Sequence, residues 1–366
     1  MLVKLKYLSQ ILNYSSSSSS IVLKESNILI TKDGTVGKVF LLTSENLEFL
    51  KSRYSSYIVL KSSSFCPPSY LYYYFLSPHF SSWYSEIKKS FATINHLNIS
   101  DLKEFPIIFS SLPIQQQKLI NFLNQKCDLI QEFLSKIDLF LEKLEEYQEA
   151  FLYEIITSQK NNKIIKLKYL SKVLERKQWS LIKADEYLND TNKSDPYYVS
   201  GIHFKNGFVN WATCYHIPYD VYLRDQKTTL KNNDILLTKD GTIGKVAIVK
   251  NLSSLAMVST GIFVIRQKSN ITYLESFFYY LFTSLYFKRW YASLILPHST
   301  ILHLSKKDLL SFPVLLCPLN VQQELCTFLD HKMTLFTKLQ SHYQSLRAYF
   351  EEYQQSLLYE TFQNLS

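Results

Sequence analysis

Lys32, Thr35 and Lys38 stand around an Asp33-Gly34 step, and Lys239, Thr242 and Lys245 stand around Asp240-Gly241 at the same spacing. Ammonium groups, a hydroxyl and the backbone N–H groups of a glycine turn are suited to holding phosphate oxygens. A nucleotide-binding P-loop is excluded. That motif needs four residues between Gly and Gly-Lys, followed by Ser or Thr, whereas here only Thr35-Val36 or Thr242-Ile243 intervene and Val39 or Val246 follows. The strings Ile30–Val39 and Leu237–Val246 hold four of the chain's 7 glycines, so glycine is kept where a backbone angle demands it. The residues fit both a phosphate-facing loop and a buried turn that shapes its domain.

Further contact candidates lie in the second half. Tyr197, Tyr198, Ser200, His203, Lys205 and Asn206 cluster on one segment, and Pro297-His298-Ser299-Thr300 forms a polar loop. Lys88, Lys89, Ser90 and Thr93 occupy the matching loop of the first half. In a chain with 27 tyrosines, a single tyrosine is more often a packing residue than a base reader. The catalytic search is empty: there is no H-E-x-x-H, G-x-S-x-G or G-x-G-x-x-G, and no recognisable Cys–His grouping. Asp195-Pro196-Tyr197-Tyr198 lacks the second proline of the signature with which amino-methyltransferases hold a flipped base. The 5 cysteines form no C-x-x-C pair, so we expect a reducing, cytoplasmic setting and no metal cluster.

The elements that position these residues are duplicated. Asp-Gly between β-prone flanks predicts a hairpin turn, with the second glycine marking a bulge or a close backbone approach. Lys4-Leu5-Lys6-Tyr7-Leu8-Ser9 returns as Lys166-Leu167-Lys168-Tyr169-Leu170-Ser171, Thr93-Ile94-Asn95-His96-Leu97 pairs with Thr300-Ile301-Leu302-His303-Leu304, and Phe105-Pro106 with Phe312-Pro313. The copies differ in one place. Between Ser9 and Ile30 there are 20 residues, but between Ser171 and Leu237 there are 65. A run of serines, Ser15 to Ser20, fills the shorter interval; a flexible connection does not replace paired strands. The segment present only in the second copy, Asp195 to Trp211, alternates around Lys205-Asn206-Gly207 and predicts a hairpin.

Each copy ends in a long helix. Ile120, Leu123, Cys127, Ile130, Leu134, Ile137, Leu141, Leu144, Phe151 and Ile155 follow steps of three and four, broken only by Gln148, without Pro or Gly, a heptad seam. A second row, Phe133, Phe140 and Tyr147, makes this stripe wider than a two-helix seam needs, and we take it as a docking surface for another protein. Leu325, Leu329, Phe336, Leu339, Tyr343, Leu346, Phe350, Tyr353 and Leu357 repeat the seam. The predicted organisation is 1–112, a first and abridged domain; 113–160, a central helix; 161–318, a second domain; and 319–366, a distal helix. The fold class is α+β: two mixed α/β domains separated by two long antiparallel coiled-coil helices, related by a pseudo-two-fold. Charge follows these borders. Residues 1–112 and 161–318 carry +4 and +10, whereas 113–160 and 319–366 carry −3 and −2. Basic domains on acidic connectors suit two patches on one polyanion. No stretch of 18 apolar residues occurs, so no membrane span is expected.

These residues resemble the specificity subunit of a Type I restriction–modification system. That family alternates target-recognition domains with conserved helices. Its domains carry a strand and turn like Leu237-Thr238-Lys239-Asp240-Gly241-Thr242-Ile243-Gly244-Lys245 after a lead such as Asn233-Asp234-Ile235-Leu236, and its helices begin with a Pro-x-x-x-Gln-Gln approximated by Pro113 to Gln117 and Pro318 to Gln323. The resemblance implies a non-enzymatic subunit whose two domains each read half of a bipartite site in double-stranded DNA. Two methyltransferase subunits, which bind S-adenosylmethionine, would dock on the helices and methylate adenine, and endonuclease/translocase subunits would cut unmodified DNA. The abridged first domain also fits a degraded allele with one functional half. A structural adaptor with basic interaction domains is the reading from a different class.

Overall fold

The strand Ile28–Thr31 is buried along its whole length because it is covered on both faces and paired on both edges. Ile28 and Ile30, with Ile58 and Leu60, face the main core; Leu29, Tyr57 and Val59 face a smaller cluster with Leu23 and Leu42. Alternate side chains point to opposite faces, so both sets must be apolar. The computed structural model describes residues 1–15, 22–33, 35–46, 56–88, 96–159, 162–176, 182, 187, 195–294 and 303–365.

The chain divides into two units, Met1–Leu141 with Ser341–Ser366, and Glu142–Gln340. The first holds a four-stranded antiparallel sheet in the order Ser9–Ser15, Ser56–Ser62, Ile28–Thr31, Val39–Leu41. Two helices, Pro68–Leu76 and Pro78–Ile87, break at Ser77, where an extended backbone and Pro78 at the next helix start end one helix and begin the other. Their tyrosines are packing residues with satisfied hydroxyls: Tyr70 donates to the Ile108 carbonyl at 2.7 Å and Tyr73 to Asn124 at 2.7 Å. A two-stranded ribbon, Leu2–Lys4 with Pro106–Ile108, closes the unit.

The second unit repeats this frame with Ser171–Glu175, Ile262–Gln267, Ile235–Thr238 and Val246–Ile248, and then extends it. Phe204–Lys205 and Phe208–Val209 add a hairpin at the sheet edge. Its turn is Asn206-Gly207, with φ of 51° and 80°, the left-handed pair that a two-residue hairpin needs. Tyr197–Val199, expected in the same hairpin, instead joins a separate three-stranded sheet between Tyr215–His216 and Ala256–Val258. The additions from residues 197–216 come from the segment that the first copy lacks.

The long helices run Pro113–Thr157 and Leu319–Gln363, 45 residues each, and both units share them. In the first unit Phe133 stacks on Phe350 at 5.5 Å and Phe140 on Tyr343 at 4.1 Å between ring centroids, so residue number rises on one helix as it falls on the other. The second unit keeps that antiparallel sense with Tyr147 against Phe336 and Phe151 against Phe328. The seam is buried from Ile120 to Ile137 as its spacing predicts. Beyond Leu144 the burial moves by one residue: Leu152 and Ile156 are buried in the second unit's core, and Phe151 and Ile155 are only partly buried against it. The first glutamine of the matched pairs Gln116-Gln117 and Gln322-Gln323 anchors each helix start. Gln116 donates to the Ser110 carbonyl at 2.6 Å, and Gln322 donates to the Cys317 carbonyl at 2.8 Å and accepts from Leu274 N–H at 2.9 Å.

Candidate nucleic-acid interface

The repeated loop is built around a threonine. Thr238 ends its strand, is buried, and donates through Oγ1 to the Thr242 carbonyl at 2.6 Å while accepting from Lys245 N–H at 3.0 Å. Thr31 does the same with the Thr35 carbonyl at 2.5 Å and Lys38 N–H at 3.0 Å. Gly244 and Gly37, each at φ 91°, then turn the chain back into the return strand. The flanking strands pair as hairpins, as predicted, but in the second unit Asp240-Gly241 is only part of a longer loop from Lys239 to Lys245; Gly34 of the first unit lies outside the described residues. Backbone bonds close the neck of each loop, Thr31 N–H to the Lys38 carbonyl and Thr238 N–H to the Lys245 carbonyl, both at 3.0 Å, and the threonine side chain adds a second pair of bonds across it.

That geometry sorts the candidates. Thr35, Lys38, Thr242 and Lys245 are exposed on the loops. Lys239 is not: its ammonium is buried, lies 5.0 Å from the Phe263 ring centre and donates to Glu175 at 2.8 Å. Lys32 is half-buried and donates to Asn13 Oδ1 at 2.7 Å. Buried cations need a partner, so Lys239 supports its loop from beneath, whereas the less buried Lys32 is tied through Asn13 to the strand Ser9–Ser15. Tyr198 and His203, read as possible base contacts, are each only 2% exposed. The Arg176 guanidinium lies over the Tyr198 ring. His203 Nδ1 accepts from Ser200 N–H at 3.0 Å, closing the one-turn helix that Ser200 caps, and burial lowers the His203 pKa. Lys205 is exposed on the edge hairpin, whose Gly207 carbonyl accepts from Ile248 N–H at 2.8 Å in the strand that leaves the loop. Lys88 is exposed at the end of its helix. Lys89, His298 and Ser299 lie outside the described residues.

Sequence reasoning missed two residue pairs at this surface. His303 Nδ1 meets Asp240 Oδ1, and His96 Nδ1 meets Asp33 Oδ1; both pairs are 63 residues apart in sequence and half-exposed. The backbone seals each junction, with Leu304 N–H donating to the Lys239 carbonyl at 3.1 Å and Leu97 N–H to the Lys32 carbonyl at 2.9 Å. The signal was present in the repeated Asp and His at one fixed interval.

Phe133, Phe140 and Tyr147 are partly spent on the helix pairing described above, while Phe133 and Tyr147 stay 49% and 59% exposed. The row is therefore not an unpartnered face: its inner edge pairs the helices and its outer edge is open.

The chain is similar over 99% of its length to 97% of a chain in a structure of complex assembly and conformational transition in the type I R-M system, at 12% identity and a TM-score of 0.73. It also matches the HsdS subunit of Thermoanaerobacter tengcongensis (11% identity, 99% and 96% covered, TM-score 0.49) and the type I S subunit of M. genitalium (16%, 97% and 95%, 0.38). No curated relative matches it in sequence. The family described as Type I restriction modification DNA specificity domain matches residues 4–146 and again 145–342, and the chain belongs to that family.

Proposed function

We propose that this chain is the sequence-reading subunit of a type I restriction–modification assembly, each unit contacting one half of a bipartite site in duplex DNA. The observation that carries this is the loop present in both units: a threonine-clamped turn presents Thr35 and Lys38, or Thr242 and Lys245, beside an exposed Asp–His pair. Fixed hydroxyl, ammonium and backbone groups position phosphates, while neighbouring polar side chains read base edges. In this reading the chain itself carries no catalytic step. Two methyltransferase subunits bind the long helices, where the outer edge of the Phe133, Phe140 and Tyr147 row is one available surface. They supply S-adenosylmethionine and methylate adenine; endonuclease/translocase subunits join for cleavage.

The test is co-expression with methyltransferase subunits followed by mapping of methylated adenines in host DNA. A bipartite motif is expected, and methylation without sequence preference would refute the reading. One observation favours a narrower second reading. Among the described residues the first unit lacks the edge hairpin and three-stranded sheet of the second, so its half-site should specify fewer bases.

A further inference from the structure

Resting on that reading of DNA contact, we propose that a recess in the second unit lined by Lys166, Lys168, Lys306 and Lys307 is a further clamp on the DNA phosphate backbone, one that the first unit does not have. The recess encloses about 510 Å³, with Leu310 and Ser311 completing its wall. Lys166 ends the strand Lys163–Lys166 and Lys168 lies on the short helix that follows, while Lys306 and Lys307 open the helix Lys306–Ser311.

The first unit contains the same place with different chemistry. Lys4 pairs with Pro106 across its ribbon as Lys166 pairs with Pro313 across the other, so the two positions correspond. There Lys4 and Lys6 grip the Glu104 carboxylate at 2.5 and 2.6 Å, and hydrogen bonds from both ammoniums hold that carboxyl down to about 2. Counting back from the shared Phe-Pro, Glu104 corresponds to Ser311, and Ile99 and Ser100 correspond to Lys306 and Lys307. The second unit thus drops the internal anion and adds two cations. Ser311 turns its hydroxyl away, donating to the Asp308 carbonyl at 2.7 Å. None of the four ammoniums forms an ion pair among the described residues.

Four like charges around one recess, where the sister site holds two lysines on an internal glutamate, mark a place for an external anion. A DNA phosphate fits better than an acidic protein surface. Lysine is depleted in protein–protein interfaces, whereas protein–DNA interfaces are strongly positive and wet, which suits a well-hydrated ammonium. Position agrees: the helix bearing Lys306 and Lys307 follows directly on His303, which joins the loop at Asp240. Ser305 fixes that helix start by accepting from Asp308 N–H at 3.1 Å.

The test compares the full-length wild-type chain with Ser311→Glu, which restores the first unit's arrangement, and with Lys306→Gln/Lys307→Gln. Binding to a duplex carrying the mapped site is followed by fluorescence anisotropy across a salt series. For each variant we expect the slope of log affinity against log salt to become shallower by about one to two, with base preference unchanged. Wild-type slopes in both variants, with unchanged melting temperatures, would overturn the clamp. Unchanged slopes with loss of methyltransferase co-purification would overturn it in favour of an acidic protein surface. Absence of any DNA binding by the wild-type chain would instead refute the functional reading, and the clamp with it.

Discussion

His303 holds Asp240 at the mouth of the second loop, and the contact joins the loop to the segment that leads into the Lys306–Ser311 helix. The corresponding His96 and Asp33 do the same in the first unit. A half-exposed pair of this kind contributes little to overall stability, so its recurrence at one interval in both units points to loop geometry.

His303→Ala should leave the melting temperature within about 2 °C, because surface substitutions away from buried features usually change stability by no more than ~0.5 kcal/mol. Affinity for site-bearing DNA should fall about 3- to 10-fold, the size of one lost polar contact. Competition binding against unrelated duplex checks it: an equal loss on both would mean the pair does not orient a reading loop.

Lys239 and Lys245 should separate cleanly although they occupy the same motif. Lys239→Gln removes the partner of Glu175 and should destabilise the second unit by about 1–3 kcal/mol. That is below the cost for a fully buried pair, since Glu175 keeps 30% exposure. Lys245→Gln should leave denaturant midpoints alone and make the salt slope of DNA binding shallower by about one. If Lys239→Gln unfolds at the wild-type midpoint while weakening DNA binding, the buried assignment fails.

Gly207 carries two constraints. Its φ is 80°, and a Cβ there would stand 2.9 Å from the Tyr279 ring. Gly207→Ala should therefore cost on the order of 1–3 kcal/mol. Hydrogen exchange locates the effect: protection should fall at 204–209 and 246–248 and stay unchanged in the strands of the first unit.

His203 gives a pH signature. Burial lowers its pKa below 6.5, and Nδ1 must stay unprotonated to accept from Ser200 N–H. Between the folded value and 6.5 the unfolded chain binds more protons, so this contribution is complete above 6.5 and is lost as pH falls through the folded value. Urea midpoints should decline through that window in the wild type, and His203→Gln should remove this part of the decline. A midpoint curve with identical pH dependence in both would refute the assignment.

What was legible in the sequence was whatever the duplication repeated. The Thr31 and Thr238 strands, the hairpins behind the two loops and the long helices follow from local pattern copied twice. What escaped were contacts between residues distant in sequence. Nothing beside Lys239 announces that Glu175, 64 residues earlier, supplies its counterion, and nothing near Tyr198 shows that Arg176 covers its ring. Periodicity likewise gave the width of the Phe133, Phe140 and Tyr147 stripe without showing that aromatic stacking across the helix pair uses part of it. The Asp–His pairs were readable, but as an interval rather than as a motif.

The use of that stripe can be divided by a double-mutant cycle on Phe140 and Tyr343, whose rings lie 4.1 Å apart at an interplanar angle of 25°. Stacked aromatic pairs contribute about 0.5–1.5 kcal/mol beyond the area they bury. Phe140→Ala and Tyr343→Ala should each lower the denaturant midpoint, and the double variant should recover a coupling energy in that range. Co-purification with methyltransferase subunits, measured on the same variants, isolates the other role. If the outer edge is the docking surface, Tyr147→Ala, at 59% exposure, should weaken retention more than it lowers the midpoint. Wild-type retention in Tyr147→Ala, together with a full coupling energy for Phe140 and Tyr343, would assign the whole row to helix pairing and move the partner's footprint elsewhere.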